Sequence, residues 1–371
     1  MSNQEFTHDP AAAIRDTMPP EVRRRSRLME HVRHAYVRTD RDALIEEHFD
    51  CLMEDLVERR EPDHPETSEE RAERLEGNIM VVIGESGAGK TTAMRRLFKN
   101  SPYAPGYGIA NAHCPVLTVR VPSPCGVGEL GRAVLWATRY QLARSHLPGP
   151  AVWGIVRRRL QALGVLVLHL DEGQDAPLAI NVDEQIKLRN LWKALLVDEV
   201  HPVGLIITGL PGIEDFLHPD RQLVRRGYWQ TFERLTVPAD NELVGATVVA
   251  LADIAGLNVG GDVQQTIVPR LVHAGCYLLG ITIEEIHNAI RFALRKNAIG
   301  SAPREGKPTL GLTHFADAYA FRTGSFAPWN PYLAPDYAAI DVTRVLARME
   351  PLEPEAASTR KPRKRKLGGI A

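Results

Sequence analysis

The run Gly84-Glu85-Ser86-Gly87-Ala88-Gly89-Lys90-Thr91 ends in a lysine followed by a hydroxyl, both directly behind a glycine. Glycines at the ends of such a run let the backbone turn tightly and turn its N–H groups toward one point. Those groups can converge on phosphate oxygens. Lys90 can then reach the terminal phosphates of a nucleoside triphosphate, and the Thr91 hydroxyl can hold Mg²⁺. The apolar run Ile79-Met80-Val81-Val82-Ile83 precedes the loop and the helical stretch Thr92-Ala93-Met94-Arg95-Arg96-Leu97 follows it. Strand, glycine-rich loop and helix are the geometry this chemistry needs. The expected nucleotide-binding set is Gly84, Glu85, Ser86, Gly87, Ala88, Gly89, Lys90, Thr91 and Thr92, with ATP as the nucleotide.

A second run, Val165-Leu166-Val167-Leu168-His169-Leu170-Asp171-Glu172, reads as a buried strand ending in two carboxylates. Asp171 can hold Mg²⁺ through water, and Glu172 can act as general base on the attacking water. Adjacent acids at a buried strand end are costly without a cation, which Lys90 and a metal would supply. Ile206-Ile207-Thr208 ends another apolar strand; Thr208 either orients water beside the phosphates or simply closes the strand before Gly209-Leu210-Pro211. Arg225 and Arg226 follow Asp220-Arg221-Gln222-Leu223-Val224. Such an arginine either reaches a neighbouring subunit's γ-phosphate or lies in a solvated basic turn. His113 and His169 lack ligand spacing to a second group and read as structural.

The elements that must position these groups alternate. Strands are expected at Ile79–Ile83, Val116–Val121, Val165–Leu170, Val203–Thr208 and Arg234–Val237. All but the last are mainly apolar, as in a parallel sheet covered on both faces. The expected fold class is therefore α/β: a P-loop core with a five-stranded parallel sheet, followed by an α-helical lid. Lid helices are expected at Glu242–Ile254, Val263–His273, Ile283–Asn297 and Leu312–Phe321, with Thr282 and Glu285 as a capping box. The boundaries expected are a mobile N-terminus 1–22, a helical segment and linker 23–76, the nucleotide-binding core 77–238, the lid 239–323 and a Pro-rich tail 324–371. A helix starting after Thr39 or Asp40 should bury Leu44, Ile45, Phe49, Leu52, Met53 and Leu56, and one over Ala338–Met349 should carry Ile340, Val342, Val345 and Leu346 on its apolar side.

A chain of 371 residues has room for one large core and a smaller unit. Its formal charge of −1 gives no overall basic signal, although the tail segment Arg360–Lys366 is basic at every position but Pro362. No apolar stretch approaches the ~20 residues of a membrane span, and the polar start Ser2-Asn3-Gln4-Glu5 is unlike a secretory signal. Cys51, Cys114, Cys125 and Cys276 form no C-x-x-C pair, which argues against zinc and disulfides and suits a cytoplasmic location.

In this order the motifs resemble TniB/TnsC-type AAA+ transposition ATPases. The likeness rests on Gly84–Thr91, Asp171-Glu172, Thr208-Gly209 and Asp220-x-Gln222-Leu223-x-x-Arg226. It extends to Arg38-Thr39-Asp40-Arg41 upstream and, in the lid, to Gly280, Ala289 and His314-Phe315-Ala316-x-Ala318-Tyr319. It continues through Asn330-Pro331-Tyr332 and Asp336-Tyr337. The resemblance implies an ATPase of a mobile element that uses ATP and Mg²⁺ and assembles as a homo-oligomeric ring or filament on double-stranded DNA. A transposase and a TniQ-like adaptor would be its further partners, with no role for a membrane. On that mapping Thr208 matches sensor 1 and Arg226 matches the arginine finger. Gly227 stands where the family usually has an aromatic, so Arg225 remains an alternative finger. No arginine follows Gly280, which puts an ordinary sensor 2 in doubt and leaves Arg291 as a substitute. The alternative function is an AAA+ signalling or initiator-type ATPase that gates protein partners without a part in transposition.

Overall fold

The computed structural model describes residues 10–58, 67, 78–142, 147–177, 181–198, 200–261, 263–298, 307–325 and 327–347. The linker Glu61–Glu66 and the basic cluster Arg360–Lys366 lie outside the described residues. The first helices are α1 (Pro10–Thr17), α2 (Pro20–His34) and α3 (Asp40–Glu58), so the stretch expected to be mobile is helical from Pro10. α3 starts where Asp42 accepts hydrogen bonds from both the backbone N–H and the hydroxyl of Thr39. Ile45, Phe49, Leu52, Met53 and Leu56 are buried as expected; Leu44 is exposed.

The apolar runs become β1 (Ile79–Gly84), β2 (Val116–Arg120), β3 (Val167–Asp171) and β4 (Gly204–Gly209) of one parallel sheet, ordered β2-β3-β4-β1-β5. The fifth strand differs from the sequence expectation: β5 is Gly227–Phe232, not Arg234–Val237. Tyr228, Trp229, Thr231 and Phe232 suit a pleated surface. Among the described residues β5 pairs only with β1, and it is mostly half-buried, so it lacks the continuous apolar run of a strand buried on both faces. Arg234–Val237 instead connects the sheet to the lid, with Leu235 buried in the lid core and its N–H bonded to the Tyr277 carbonyl at 2.6 Å.

Alternation along β1 distributes the core. Ile79, Val81 and Ile83 face α5 (Val127–Ala137), α6 (Gly149–Ala162) and α7 (Val182–Leu196), whereas Met80 and Val82 face α3 and α4, the Lys90–Asn100 helix behind the glycine loop. Two short helices, α8 (Ile213–Leu217) and α9 (Arg221–Arg225), lead into β5.

The lid holds α10 (Asn241–Ile254), a π-helical turn Val263–Ile267 running into α11 (Val268–Ala274), α12 (Leu279–Ala298) and α13 (Leu312–Thr323). Between them a two-residue strand β6 (Asn258–Val259) pairs in parallel with β7 (Thr309–Leu310), too short to leave a pattern in the sequence. α12 begins before the expected capping box. Thr282 and Glu285 lie inside it, both buried, with Glu285 ion-paired to Arg322. Met29 and Val32 of α2 are buried in the lid core, so the N-terminal helical segment is shared between lid and sheet.

The tail folds back on the same unit. Asn330 is fully buried, and Tyr332 packs with Phe315 and Tyr319. In place of one helix over Ala338–Met349 there is a 3₁₀ turn Tyr337–Ala339 and a short helix α14 (Val342–Ala347). Ile340 and Val342 are buried, and the side chains of Val345 and Leu346 lie outside the described residues. Among the described residues no single helix is long and apolar enough to cross a membrane. The one bent pair that passes by length and composition, Val263–Ala274 with Leu279–Lys296, supplies lid-core residues.

Candidate active site

The loop between β1 and α4 turns at Gly87 and Gly89, with φ of 85° and 97°, the left-handed region that glycine adopts without strain. The Lys90 ammonium donates to the Gly84 and Glu85 carbonyls at 2.7 and 3.0 Å, so it lies inside the curve of the loop. Burial lowers its pKa, while Glu172, Asp171 and Glu85 pull the other way. Glu85 is gripped at both carboxylate oxygens by Arg234, at 2.5 and 2.7 Å, which holds its carboxyl below the usual range.

Because β4 lies between β1 and β3, the C-terminal ends of all three strands meet at the loop. There the Thr91 hydroxyl stands 3.3 Å from Asp171 Oδ1 and 3.4 Å from Oδ2. Thr208, fully buried, donates to Asp171 Oδ1 at 2.6 Å. Glu172 adopts φ 60°, ψ 43°, a left-handed conformation that is uncommon and strained for a non-glycine residue. Its carboxylate accepts a hydrogen bond from the Gln174 amide, whose oxygen in turn accepts from the Leu210 N–H at 3.1 Å. The cleft has a volume of about 340 Å³ and is walled by the glycine loop, Lys90, Thr91, Thr92, Asp171, Glu172 and Gln174. No described arginine lines it, Arg291 included.

A hydroxyl and one carboxylate beside a phosphate loop fit Mg²⁺, which keeps several waters and takes only one or two carboxylates plus phosphate oxygens. Among the described residues no group of three or more His, Cys, Asp or Glu is placed to hold a metal by itself.

The lid meets the loop directly. Ile281 N–H donates to the Gly87 carbonyl at 3.2 Å. A Cβ on Gly280 would lie 2.5 Å from that same oxygen and 3.1 Å from the Gly89 nitrogen, so only glycine permits this approach. On the other side of Gly89 and Thr92 a second hollow of about 510 Å³ opens between the loop, the α2–α3 connection and α12, with Tyr36, Phe232, Leu251 and Leu279 in its walls. The two hollows share Gly89, Thr92, Gly280 and Glu284.

Arg226 lies elsewhere. Its carbonyl accepts from the N–H of Ile79, the residue that opens β1, whereas the loop follows the residue that closes it. At ~3.3 Å per residue the two ends of this strand are about 17 Å apart. Arg225 is exposed and Arg226 half-buried. Trp229 lies over Gly227, where an added Cβ would come within 2.3 Å of its indole nitrogen. The same indole donates to the Val224 carbonyl at 3.3 Å, fixing the end of α9.

Two residues of the site, Gln174 and Arg234, are not singled out by the sequence, and a third, His169, reads there as structural. Gln174 is two residues beyond Glu172, a spacing with no motif attached; Arg234 was placed in a strand. His169 is buried and hydrogen-bonded on both ring nitrogens, at 3.1 Å to Thr208 and 3.1 Å to Thr118, and burial pushes its pKa down to about 4. A histidine within an apolar strand is the available signal in the sequence.

Residues 73–217 match the family model described as AAA domain. No curated protein matches the chain. Among solved structures, Cdc6p from Pyrobaculum aerophilum superposes with a TM-score of 0.51 at 12% identity, over 78% of this chain and 69% of that one. The Aeropyrum pernix ORC1 protein in complex with DNA gives 0.45 at 18% identity, over 71% and 67%. The Walker-type ATPase of Pyrococcus abyssi gives 0.41 at 12%, over 70% and 69%. At such identities the likeness concerns fold alone. The match to the AAA domain model lies in residues 73–217, and the chain has the P-loop AAA+ fold seen in Cdc6p.

Proposed function

We propose that this protein is an AAA+ ATPase in which bound nucleotide controls assembly and partner contact. The observation that carries this reading is the meeting of Lys90, Thr91, Asp171 and Glu172 in one cleft, with Thr208 hydrogen-bonded to Asp171 from behind it, at three different strand ends. Backbone N–H groups of Gly84–Thr92 and the Lys90 ammonium bind the phosphates, and the adjoining apolar hollow takes the base and ribose. Thr91 and Asp171 hold Mg²⁺, which supplies charge neutralisation on the phosphate oxygens when bound. Glu172, aimed by Gln174, takes a proton from the attacking water as its oxygen bonds to the γ-phosphorus and ADP leaves. Thr208 keeps Asp171 in place. Arg226, at the end of β1 opposite to its own glycine loop, serves the nucleotide of a neighbouring copy.

Lys90→Ala should lose tight binding of a fluorescent ATP analogue. Glu172→Gln should bind it normally while phosphate release falls by ~10²–10⁴-fold, the usual worth of a general base. Equal loss of binding in both variants would contradict these roles.

For the partners we place the chain on double-stranded DNA, as a cytoplasmic homo-oligomer. With a formal charge of −1, assembly would bring the cationic groups of several copies together along the DNA, so DNA binding should require ATP and weaken steeply with salt. The AAA+ fold shared with Cdc6p is compatible with an initiator-type role. A second reading, regulation of a transposase with a TniQ-like adaptor, is favoured by Asp220-x-Gln222-Leu223-x-x-Arg226 and His314-Phe315-Ala316-x-Ala318-Tyr319. Electron microscopy with an ATP analogue, with and without duplex DNA, separates both from a switch that gates proteins only. Stimulation of turnover by a transposase would select the second.

A further inference from the structure

Asp171 does not end its contacts at Thr208. Thr208 Oγ1 is 3.1 Å from His169 Nε2, His169 Nδ1 is 3.1 Å from Thr118 Oγ1, and Thr118 Oγ1 is 2.8 Å from the Tyr107 hydroxyl. These residues come from β4, β3, β2 and the loop before β2, and strand register brings them into line: Thr118 pairs with His169, and His169 with Ile206. We propose that His169 is a positioning residue for ATP hydrolysis, the central link of a hydrogen-bonded chain that holds Thr208 and, through it, Asp171. The proposal rests on the ATPase reading above.

Donor and acceptor chemistry gives the chain one direction. An ionised Asp171 only accepts, so the single Thr208 proton must go to it. Thr208 then accepts from His169 Nε2–H. A neutral imidazole with its proton on Nε2 presents Nδ1 as an acceptor, which takes the Thr118 proton. Thr118 in turn accepts from Tyr107. Every proton points toward Asp171, and each hydroxyl rotor along the way is fixed by the link behind it. Phe98 meets the imidazole edge-on, with ring centroids 5.1 Å apart, and limits its rotation. Asp171 Oδ1 is thereby engaged, and the Thr91 hydroxyl stands 3.3 Å from it and 3.4 Å from Oδ2. Without the His169 donor, Thr208 can rotate its proton away and the Asp171 carboxylate loses its fixed orientation. The consequence falls on hydrolysis, because neither His169 nor Thr208 lines the phosphate cleft.

The test compares the full chain with His169→Leu, His169→Gln, Thr118→Val and Tyr107→Phe. It measures kcat and KM for ATP, affinity for a non-hydrolysable fluorescent ATP analogue, and Tm. His169→Leu should lower kcat by about 10–100-fold, the range found for residues that orient a metal ligand, with analogue affinity within about threefold of wild type. His169→Gln, which keeps an amide donor toward Thr208, should restore most of kcat. Should His169→Leu fail to fold, Thr118→Val cuts the next link from a less buried position. It should reduce kcat more than Tyr107→Phe does, again without loss of affinity. A folded His169→Leu with wild-type kcat overturns the proposal, as does loss of kcat and affinity in equal measure or a Gln variant no better than Leu. If His169→Leu cannot be folded, unchanged kcat in Thr118→Val overturns it. These outcomes leave the ATPase reading standing; a wild-type chain that binds nucleotide and releases no phosphate, with DNA present, is what would remove that.

Discussion

Asn330 shows how much one polar side chain can fix. It is fully buried, donates to the Ala316 carbonyl at 2.8 Å and accepts from the Tyr332 N–H at 3.0 Å, joining the tail to α13. Asn330→Ala would leave the buried Tyr332 N–H unmet and take a second donor from the Ala316 carbonyl, and a group stranded in this way costs about 1–3 kcal/mol. Urea unfolding should show a lower midpoint with unchanged slope, and a midpoint equal to wild type would detach the tail from the fold's stability. The phosphate loop and Asp171-Glu172 were legible in the sequence because their chemistry dictates residue type at fixed spacing. The contacts of Gln174, Arg234 and His169 were not. His169 meets Thr118 and Thr208 only through the pairing of strands 51 and 39 residues apart, and no local window contains such a pair.

Among the elements, α12 makes the contact most exposed to test. Gly280→Ala would set a methyl group against the backbone of Gly87 and Gly89, and backbone in a tight loop cannot yield as a flexible side chain does. The lid should be forced off the loop, with ATP affinity falling at least about tenfold, since that factor corresponds to only ~1.4 kcal/mol. Gly311→Ala, in open space and without a positive φ, is the control. Equal affinities in the two variants would mean that the lid contact has no bearing on nucleotide. Strands covered on both faces were readable as apolar runs. β5 was displaced in the reading because an edge strand gives a mixed pattern, and Thr282 resembled a cap because buried helix interiors can hold the same residue pair.

At the scale of the whole molecule, the separation of Arg226 from the glycine loop of the same chain argues that two copies complete one site. Arg226→Ala should lower turnover by ~10³–10⁵-fold, the range for arginine fingers, and wild-type specific activity should rise with protein concentration. Mixing Arg226→Ala with Lys90→Ala should restore turnover, because the second variant still offers its arginine to the intact cleft of the first. A monomer with concentration-independent turnover, or a mixture as inactive as its parts, would refute this. Substituting Arg225 in the same assay decides which arginine of the pair acts.

The pair formed by Glu85 and Arg234 bears on how such an assembly would move. Arg234 stands where the chain leaves the sheet for the lid, and Ile281 returns from the lid to touch the same glycine loop. The lid, α2 and Tyr332 of the tail share one apolar core, while Cys276, Leu278, Ala334, Ile340 and Val342 pack with α3, β1 and α4. Lid and sheet are joined by apolar packing as well as by these two polar contacts. A change at the glycine loop would therefore meet the lid through two polar contacts and a shared apolar core at once.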